Sequence, residues 1–165
     1  MSLPTAPQTA ERLRLWRGAV LPEWLDYNGH MTEYRYLQVF GESSDALYNQ
    51  IGVNFQRAAE GAYYTLETHI RHRAEAKVGT DLWSETEILG YDEKRLHIYH
   101  TLFDGSGKLL ATGEHVSIHV VASLASPASE AKLEKIRGFF NRQKGTLPLP
   151  EGTGSVLKAQ LRHSR

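Results

Sequence analysis

Between Glu33 and Ile51 the apolar positions recur at helical spacing. Leu37, Phe40, Leu47, Tyr48 and Ile51, with Ser44 in the same stripe, predict a long amphipathic helix. Thr32 stands where an N-cap belongs, Glu33 and Glu42 lie toward the positive end, and Gly52 is a natural stop. Gly41, Ser43, Ser44 and Ala46 are small for an exposed helix and suit one wrapped closely by a sheet. Upstream, Leu13, Leu15 and Val20 around Trp16 predict a short strand, Arg14 to Val20, ended by Pro22. Downstream the period changes to two. Tyr64, Leu66, Thr68 and Ile70 alternate with Glu67, His69 and Arg71; Leu82, Ser84, Thr86 and Ile88 alternate with Trp83, Glu85 and Glu87. Leu96, Ile98, His100 and Leu102 alternate with Arg95, His97 and Tyr99, and Asp104-Gly105-Ser106-Gly107 supplies a hairpin turn. The last strand, Lys108 to Val121, carries Leu110, Thr112, Val116, Ile118 and Val120 on one phase. Connections of this length predict a consecutive antiparallel meander. Ser126-Pro127 marks the start of a second helix whose apolar stripe is Leu133, Ile136, Phe139 and Phe140, with its Lys and Glu residues as a solvated face.

One long helix early in the chain and four long strands to wrap it predict an α+β fold of the hotdog type, an antiparallel sheet around one central helix. The strand phases are expected to carry His, Arg and Glu outward. Open sheet edges of this kind pair readily with a second copy, so a homodimer or a dimer of dimers is expected. The 165 residues suit a single domain over residues 13–145 with its C-terminal helix, between flexible tails at 1–12 and 146–165.

Composition narrows the chemistry. Lys+Arg and Asp+Glu are both 19, which leaves no basic field for nucleic acid. The absence of cysteine removes disulfides, zinc–thiolate sites and a thiol nucleophile together. No apolar run approaches membrane-spanning length, and Met1 to Ala10 lacks the pattern of a secretory leader, so a cytoplasmic protein is expected. His69 and His72, three apart in a strand pattern, point to opposite faces, and no metal is expected.

The candidate chemistry lies just before the long helix, in Trp24-Leu25-Asp26-Tyr27-Asn28-Gly29-His30-Met31-Thr32-Glu33. Asp26, Asn28 and His30 alternate in a turn-like run that feeds a helix N-terminus. Free N–H groups and the helix dipole there suit a developing oxyanion on a carbonyl. Each residue also has a structural reading: Asp26 can cap its own turn, and His30 can pin the loop to backbone.

Asp26-Tyr27-Asn28-Gly29-His30-Met31 followed by Tyr36-Leu37 resembles the signature of hotdog acyl-CoA thioesterases of the 4-hydroxybenzoyl-CoA thioesterase type. Val78-Gly79-Thr80-Asp81 and Leu110-Ala111-Thr112-Gly113-Glu114 are similar to two further elements of that family. The resemblance covers roughly residues 14 to 121. More narrowly, the run Trp24 to Gly41, with Glu67-Thr68-His69-Ile70-Arg71-His72 and Asp92-Glu93-Lys94-Arg95-Leu96-His97, resembles the betainyl-CoA thioesterases of carnitine breakdown. Those proteins occur alone or fused behind an L-carnitine dehydrogenase domain. With no dinucleotide-binding region in the sequence, the resemblance implies the free-standing form.

What the resemblance implies is hydrolysis of a small acyl-CoA, betainyl-CoA to betaine and CoA, with coenzyme A as part of the substrate and no separate cofactor. Asp26 matches the catalytic carboxylate, which attacks the thioester carbonyl or activates a water. The Glu33 main-chain N–H falls where that family's helix N-terminus meets the thioester oxygen. Asn28 and His30 are then candidates to orient the acyl group or the water. Trp24, Tyr27, Tyr34 and Tyr36, with Trp83, are candidates for a ring of aromatic faces around a quaternary ammonium, against the alternative of ordinary packing. Arg71, Arg73 and Lys77, with His72 and Arg95, are candidates for the CoA phosphates. Many relatives carry Asn where this chain has Thr32 and Glu33, so the pocket wall departs from the generic one. The other readings are a generic short-chain or aromatic acyl-CoA thioesterase, a hotdog enoyl-CoA hydratase and a non-catalytic acyl-CoA binding module. The spacing of His30 four residues after Asp26, with Thr32 two beyond, speaks against the hydratase.

Overall fold

The structure is a computed structural model; it describes residues 12–144 and 149–154. Of the two expected tails, only Arg12 and residues 149–154 fall within those residues. Strand β1 (Leu13–Ala19) leads through a single turn of 3-10 helix (Pro22–Trp24) into helix α1 (Glu33–Gln50). Strands β2 (Ala62–His72), β3 (Asp81–Tyr91), β4 (Arg95–Asp104), β5 (Leu109–Val121) and the short β6 (Leu124–Ala125) follow, and helix α2 (Glu130–Gln143) closes the described domain. This is the α+β hotdog arrangement: one antiparallel sheet with a long helix packed on its concave face.

The sheet order is β1-β3-β4-β5-β2, with β6 paired to β5. The expected consecutive meander therefore holds only for β3-β4-β5. Strand β2 pairs with β5 at the far edge, from Ala62 opposite Val120 to His72 opposite Ala111. The eight residues between His72 and Asp81 (73–80) explain the difference. Extended, they reach about 26 Å, whereas crossing to β3 requires three strand spacings, about 14 Å. A link of that length serves a hairpin or a crossing equally well.

Helix α1 buries Tyr36, Val39, Phe40, Ser43, Ser44, Leu47 and Tyr48 against the sheet. One apolar cluster joins Phe40, Val39 and Tyr36 to Leu82, Leu102, Leu110 and Ala111. A second joins Leu47 and Ile51 to Ile88, Leu96 and Ile98 and to Ile136 and Phe140 of α2. At Gly113 the helix comes so close that a Cβ would stand 2.6 Å from the Phe40 ring. The small residues Ser43 and Ser44 permit the same approach and bond across the interface. Ser43 Oγ lies 2.7 Å from Ser84 Oγ, and Ser44 Oγ lies 2.8 Å from His100 Nε2.

Two histidines expected to face outward, His115 and His119, face the helix instead, beside His100, which lies on the apolar phase of Leu96 and Ile98 as expected. His100, His115 and His119 are all buried; Thr86 meets His100, Thr68 meets His115 Nδ1, and Ser126 and Lys132 meet His119, while His115 Nε2 has no hydrogen-bond partner among the described residues. In β5 the helix-facing phase is thus Gly113, His115, Ser117 and His119, and Thr112 and Val116 lie on the other. The opposite face of the sheet carries a second buried pair, His97 Nε2 with Glu114 Oε1 at 2.7 Å. Glu114 also accepts from the Gly154 N–H, so the 149–154 segment lies over this face.

Helix α2 begins at Glu130, not at Ser126-Pro127. Ser129 is its N-cap, and its hydroxyl accepts from the Lys132 N–H. Its expected solvated face is interrupted by Lys132, which is buried and donates through Nζ to the Glu60 carbonyl. Gln143 Oε1 accepts the Ile88 N–H beside the bulge in β3, which ties the helix end to the sheet.

Candidate active site

The loop between the 3-10 turn and α1 is a tight reverse turn built around Asp26. Gly29 holds a positive φ of 77° and its N–H donates to the Asp26 carbonyl. The Asp26 N–H in turn donates to the His30 carbonyl at 2.8 Å. The carboxylate joins the same network: Oδ1 accepts from the N–H of Asn28 at 2.8 Å and from that of His30 at 3.3 Å. An Asx turn of this kind is what Asp favours locally. Its second oxygen carries no hydrogen bond among the described residues.

Two backbone links fix this turn to the body. The Thr32 N–H donates to the carbonyl of buried Trp24, and the Met31 N–H donates to the Ala76 carbonyl, both at 2.8 Å. His30 and Lys77 form a bridge alongside. The crossing segment from β2 to β3 is thereby laid beside the Asp26 turn, and the two form the walls of an open cleft of about 440 Å³.

Helix α1 starts in this cleft. Thr32 has the extended backbone of an N-cap, but its side chain makes no capping bond, so the first N–H groups of the helix receive no side-chain partner there. They remain available, with the positive end of the dipole, to an oxygen that gains charge.

Of the residues expected at the site, Asp26, Asn28, His30, Glu33, Tyr36 and Arg73 line this one cleft, together with His72. Tyr36 is buried and donates to the Ala74 carbonyl at 3.4 Å; burial, then Glu75 and then Asp26 push its hydroxyl pKa upward. The remaining aromatic candidates lie elsewhere. Trp24 and Tyr34 receive the guanidinium of Arg35 on their faces, at 5.5 and 5.0 Å. Tyr27 is 97% exposed. Trp83 stacks on Phe103 and takes Arg14 on its ring.

The candidate phosphate ligands divide. Arg71 and Arg73 both meet the Glu151 carboxylate, at 3.6 and 3.4 Å, in a groove on the opposite face of the sheet. Arg73 also borders the Asp26 cleft. Lys77 is exposed on the crossing segment, and Arg95 is held by Asp92 at 2.8 Å. Sequence reasoning missed Glu75, whose carboxylate oxygen Oε2 lies 3.2 Å from His30 Nε2. Nothing in an Ala-Glu-Ala run announces it. Among the described residues, no group of three or more His, Asp or Glu side chains gathers to hold a metal, and no helix is long and apolar enough to cross a membrane.

A hotdog sheet around one helix, with a carboxylate turn opening onto that helix's N-terminus, defines the thioesterase-like class of acyl-CoA proteins. The chain belongs to the Thioesterase-like superfamily, whose sequence model matches residues 20–153. It is 46% identical over 149 residues to the L-carnitine dehydrogenase/betainyl-CoA thioesterase of Agrobacterium fabrum, covering 89% of this chain and 31% of that protein. It is also 41% identical over 152 residues to the betainyl-CoA thioesterase of Pseudomonas aeruginosa, covering 88% of this chain and 94% of that one. The chain thus spans about a third of the length of the dehydrogenase-containing relatives and nearly all of the shorter one. Among solved structures it is similar to a protein of Pseudomonas putida KT2440 described provisionally as a thioesterase. There the TM-score is 0.79 with 32% identity, over 92% of this chain and 99% of that chain. A Staphylococcus aureus protein solved in complex with CoA shares the fold, with a TM-score of 0.79 and 24% identity over 87% of this chain and 93% of its own.

Proposed function

We propose that the chain is an acyl-CoA thioesterase that hydrolyses betainyl-CoA to betaine and CoA. The observation that carries this reading is the Asp26 carboxylate, held through one oxygen in its own turn, in the same cleft as the uncapped N-terminus of α1. Water adds across the thioester: an oxygen bonds to the carbonyl carbon, the C–S bond breaks, and the thiolate leaves and takes up a proton. Asp26 either attacks the carbonyl itself or accepts the proton of the attacking water; a carboxylate is ionised at neutral pH and needs no further base. The main-chain N–H of Glu33 is the donor for the oxyanion, a contribution of about 3–4 kcal/mol where such donors have been removed elsewhere. Asn28 and His30 orient the acyl group or the water. Arg73, which borders the cleft, and Lys77, exposed on the crossing segment, are the nearest of the candidate cations for the CoA phosphates. The reaction needs no cofactor.

The relatives' names supply the acyl group: both are named for betainyl-CoA. A neutral short-chain acyl-CoA is the second reading, favoured by one observation: Trp24 and Tyr34 already hold Arg35. We place the protein in the cytoplasm, where CoA esters are made and used. A homodimer is supported by β2, an eleven-residue strand at the edge of the described sheet that exposes Tyr64 and Leu66.

The test is thiol release from betainyl-CoA, acetyl-CoA and an aromatic acyl-CoA. Turnover of betainyl-CoA well above the others supports the reading in full. Turnover of the others alone keeps the enzyme class and removes the acyl assignment, and absence of any hydrolysis overturns it.

A further inference from the structure

Of the rings expected to surround a cationic acyl head, only Tyr36 lines the cleft, while Trp24, Tyr34 and Trp83 hold arginines elsewhere, and the structure offers a charged group beside it. Glu75 sits on the crossing segment between β2 and β3, and its neighbours are pinned on both sides. The Ala74 N–H donates to the Leu110 carbonyl at 3.1 Å and the Ala74 carbonyl accepts from Tyr36; buried Ala76 accepts from the Met31 N–H at 2.8 Å. The backbone is therefore fixed where the side chain enters the cleft. That side chain is 74% exposed, with Oε2 at 3.2 Å from His30 Nε2, and Oε1 has no partner among the described residues.

We infer that Glu75 is a specificity-determining residue that makes this cleft favour an acyl group bearing a positive charge. The inference rests on the thioesterase reading above. Glu75 and Asp26 both act on the Tyr36 hydroxyl, so their fields converge inside the cleft. The only arginine bordering it among the described residues, Arg73, is 3.4 Å from Glu151 and so is partly neutralised. A trimethylammonium group cannot donate a hydrogen bond, so it is held by opposite charge and by ring faces. A free carboxylate oxygen at the wall meets that requirement, and it repels an acyl group that ends in a carboxylate.

Two esters of the same shape isolate the charge: betainyl-CoA, and 3,3-dimethylbutyryl-CoA, in which carbon replaces the quaternary nitrogen. The readout is the ratio of kcat/KM for the cationic ester to that for the neutral one, in wild type, Glu75→Gln and Glu75→Asp. The expected result is a wild-type ratio above one that falls about two- to fivefold in Glu75→Gln, mainly through KM for the cationic ester. Glu75→Asp, which keeps the charge, should restore most of it. Parallel losses on both esters in Glu75→Gln would assign Glu75 a purely structural role through His30 and overturn the inference. So would an unchanged ratio, or a wild-type preference for the neutral ester, although the thioesterase reading would survive both. Hydrolysis of neither ester by wild type overturns this inference, and the thioesterase reading falls with it only where acetyl-CoA and the aromatic acyl-CoA are left intact as well.

Discussion

The main-chain N–H of Asn28 donates to Oδ1 of Asp26 at 2.8 Å, so the carboxylate that faces the cleft also ties its own turn. The structural and catalytic readings of Asp26 are therefore compatible: one oxygen does the first, which leaves the other for the second. Asparagine can keep the turn, because its amide oxygen accepts the same two N–H groups, but it has no charge with which to attack or to take a proton. Asp26→Asn is expected to lower kcat by roughly 10²–10⁴-fold with thermal stability close to wild type. Thiol-release kinetics beside a melting curve check this. Activity within a few-fold of wild type would remove Asp26 from the mechanism.

The contact of Gly113 with Phe40 makes a second prediction, on stability alone. A Cβ at Gly113 would stand 2.6, 2.9 and 3.0 Å from three atoms of the ring, and Phe40 has no room to retreat because it is fully buried. Gly113→Ala should cost about 1–3 kcal/mol by overpacking. Phe40→Leu in the same chain should recover part of the loss, since it removes Cε2 and frees the Cδ atoms from a rigid ring. Urea unfolding of the two variants tests the pair. An unchanged midpoint for Gly113→Ala would mean that helix and sheet can separate freely.

The same contact shows what the sequence can and cannot carry. Period-two and period-3.6 patterns placed α1 and all four long strands within a few residues, because each element has one face against the core. The Asp26 turn was legible for a local reason: Asp, Gly and the helix start interact within eight residues. The crossing of β2 to the far edge was not, because eight linking residues fit either topology. Nor were the inward histidines of β5, since His115 and His119 read as polar until Thr68 and Lys132 are brought up from distant segments. Glu75 joins the cleft for the same non-local reason, through the tether of Met31 to Ala76.

Lys132 docks helix α2 by a buried ammonium. His119 Nδ1 lies 3.0 Å from the Ser126 carbonyl, which can only accept, so Nδ1 carries the proton and Nε2 offers its lone pair. That lone pair is the partner of Lys132 Nζ at 3.3 Å, and the Glu60 carbonyl is the second at 2.9 Å. Burial lowers the lysine pKa, yet both contacts favour the charged donor. Lys132→Met keeps much of the side-chain volume and leaves two acceptors unmet. It should cost about 1–3 kcal/mol and raise amide exchange in α2 more than in β4. Exchange that rises uniformly would show that the helix does not open as a separate unit.

His115 sets a pH dependence of stability. It is 3% exposed, and burial pulls its pKa from 6.5 down to about 4, with nearby Glu114 opposing weakly; His100 is shifted in the same direction by burial and by His115. The unfolded chain then binds a proton near pH 6.5 that the folded chain refuses until about pH 4. Stability is therefore fully present above pH 6.5 and is lost as pH falls across that window. For His115 alone the loss by pH 4 is about 3 kcal/mol. His115→Gln retains a polar partner for Thr68 but cannot titrate, so its curve of unfolding free energy against pH should be flatter between pH 6.5 and 4 by that amount. Parallel curves for wild type and His115→Gln would mean that the ring takes up its proton in the folded state near pH 6.5, against the burial that the Phe40 and His100 contacts impose.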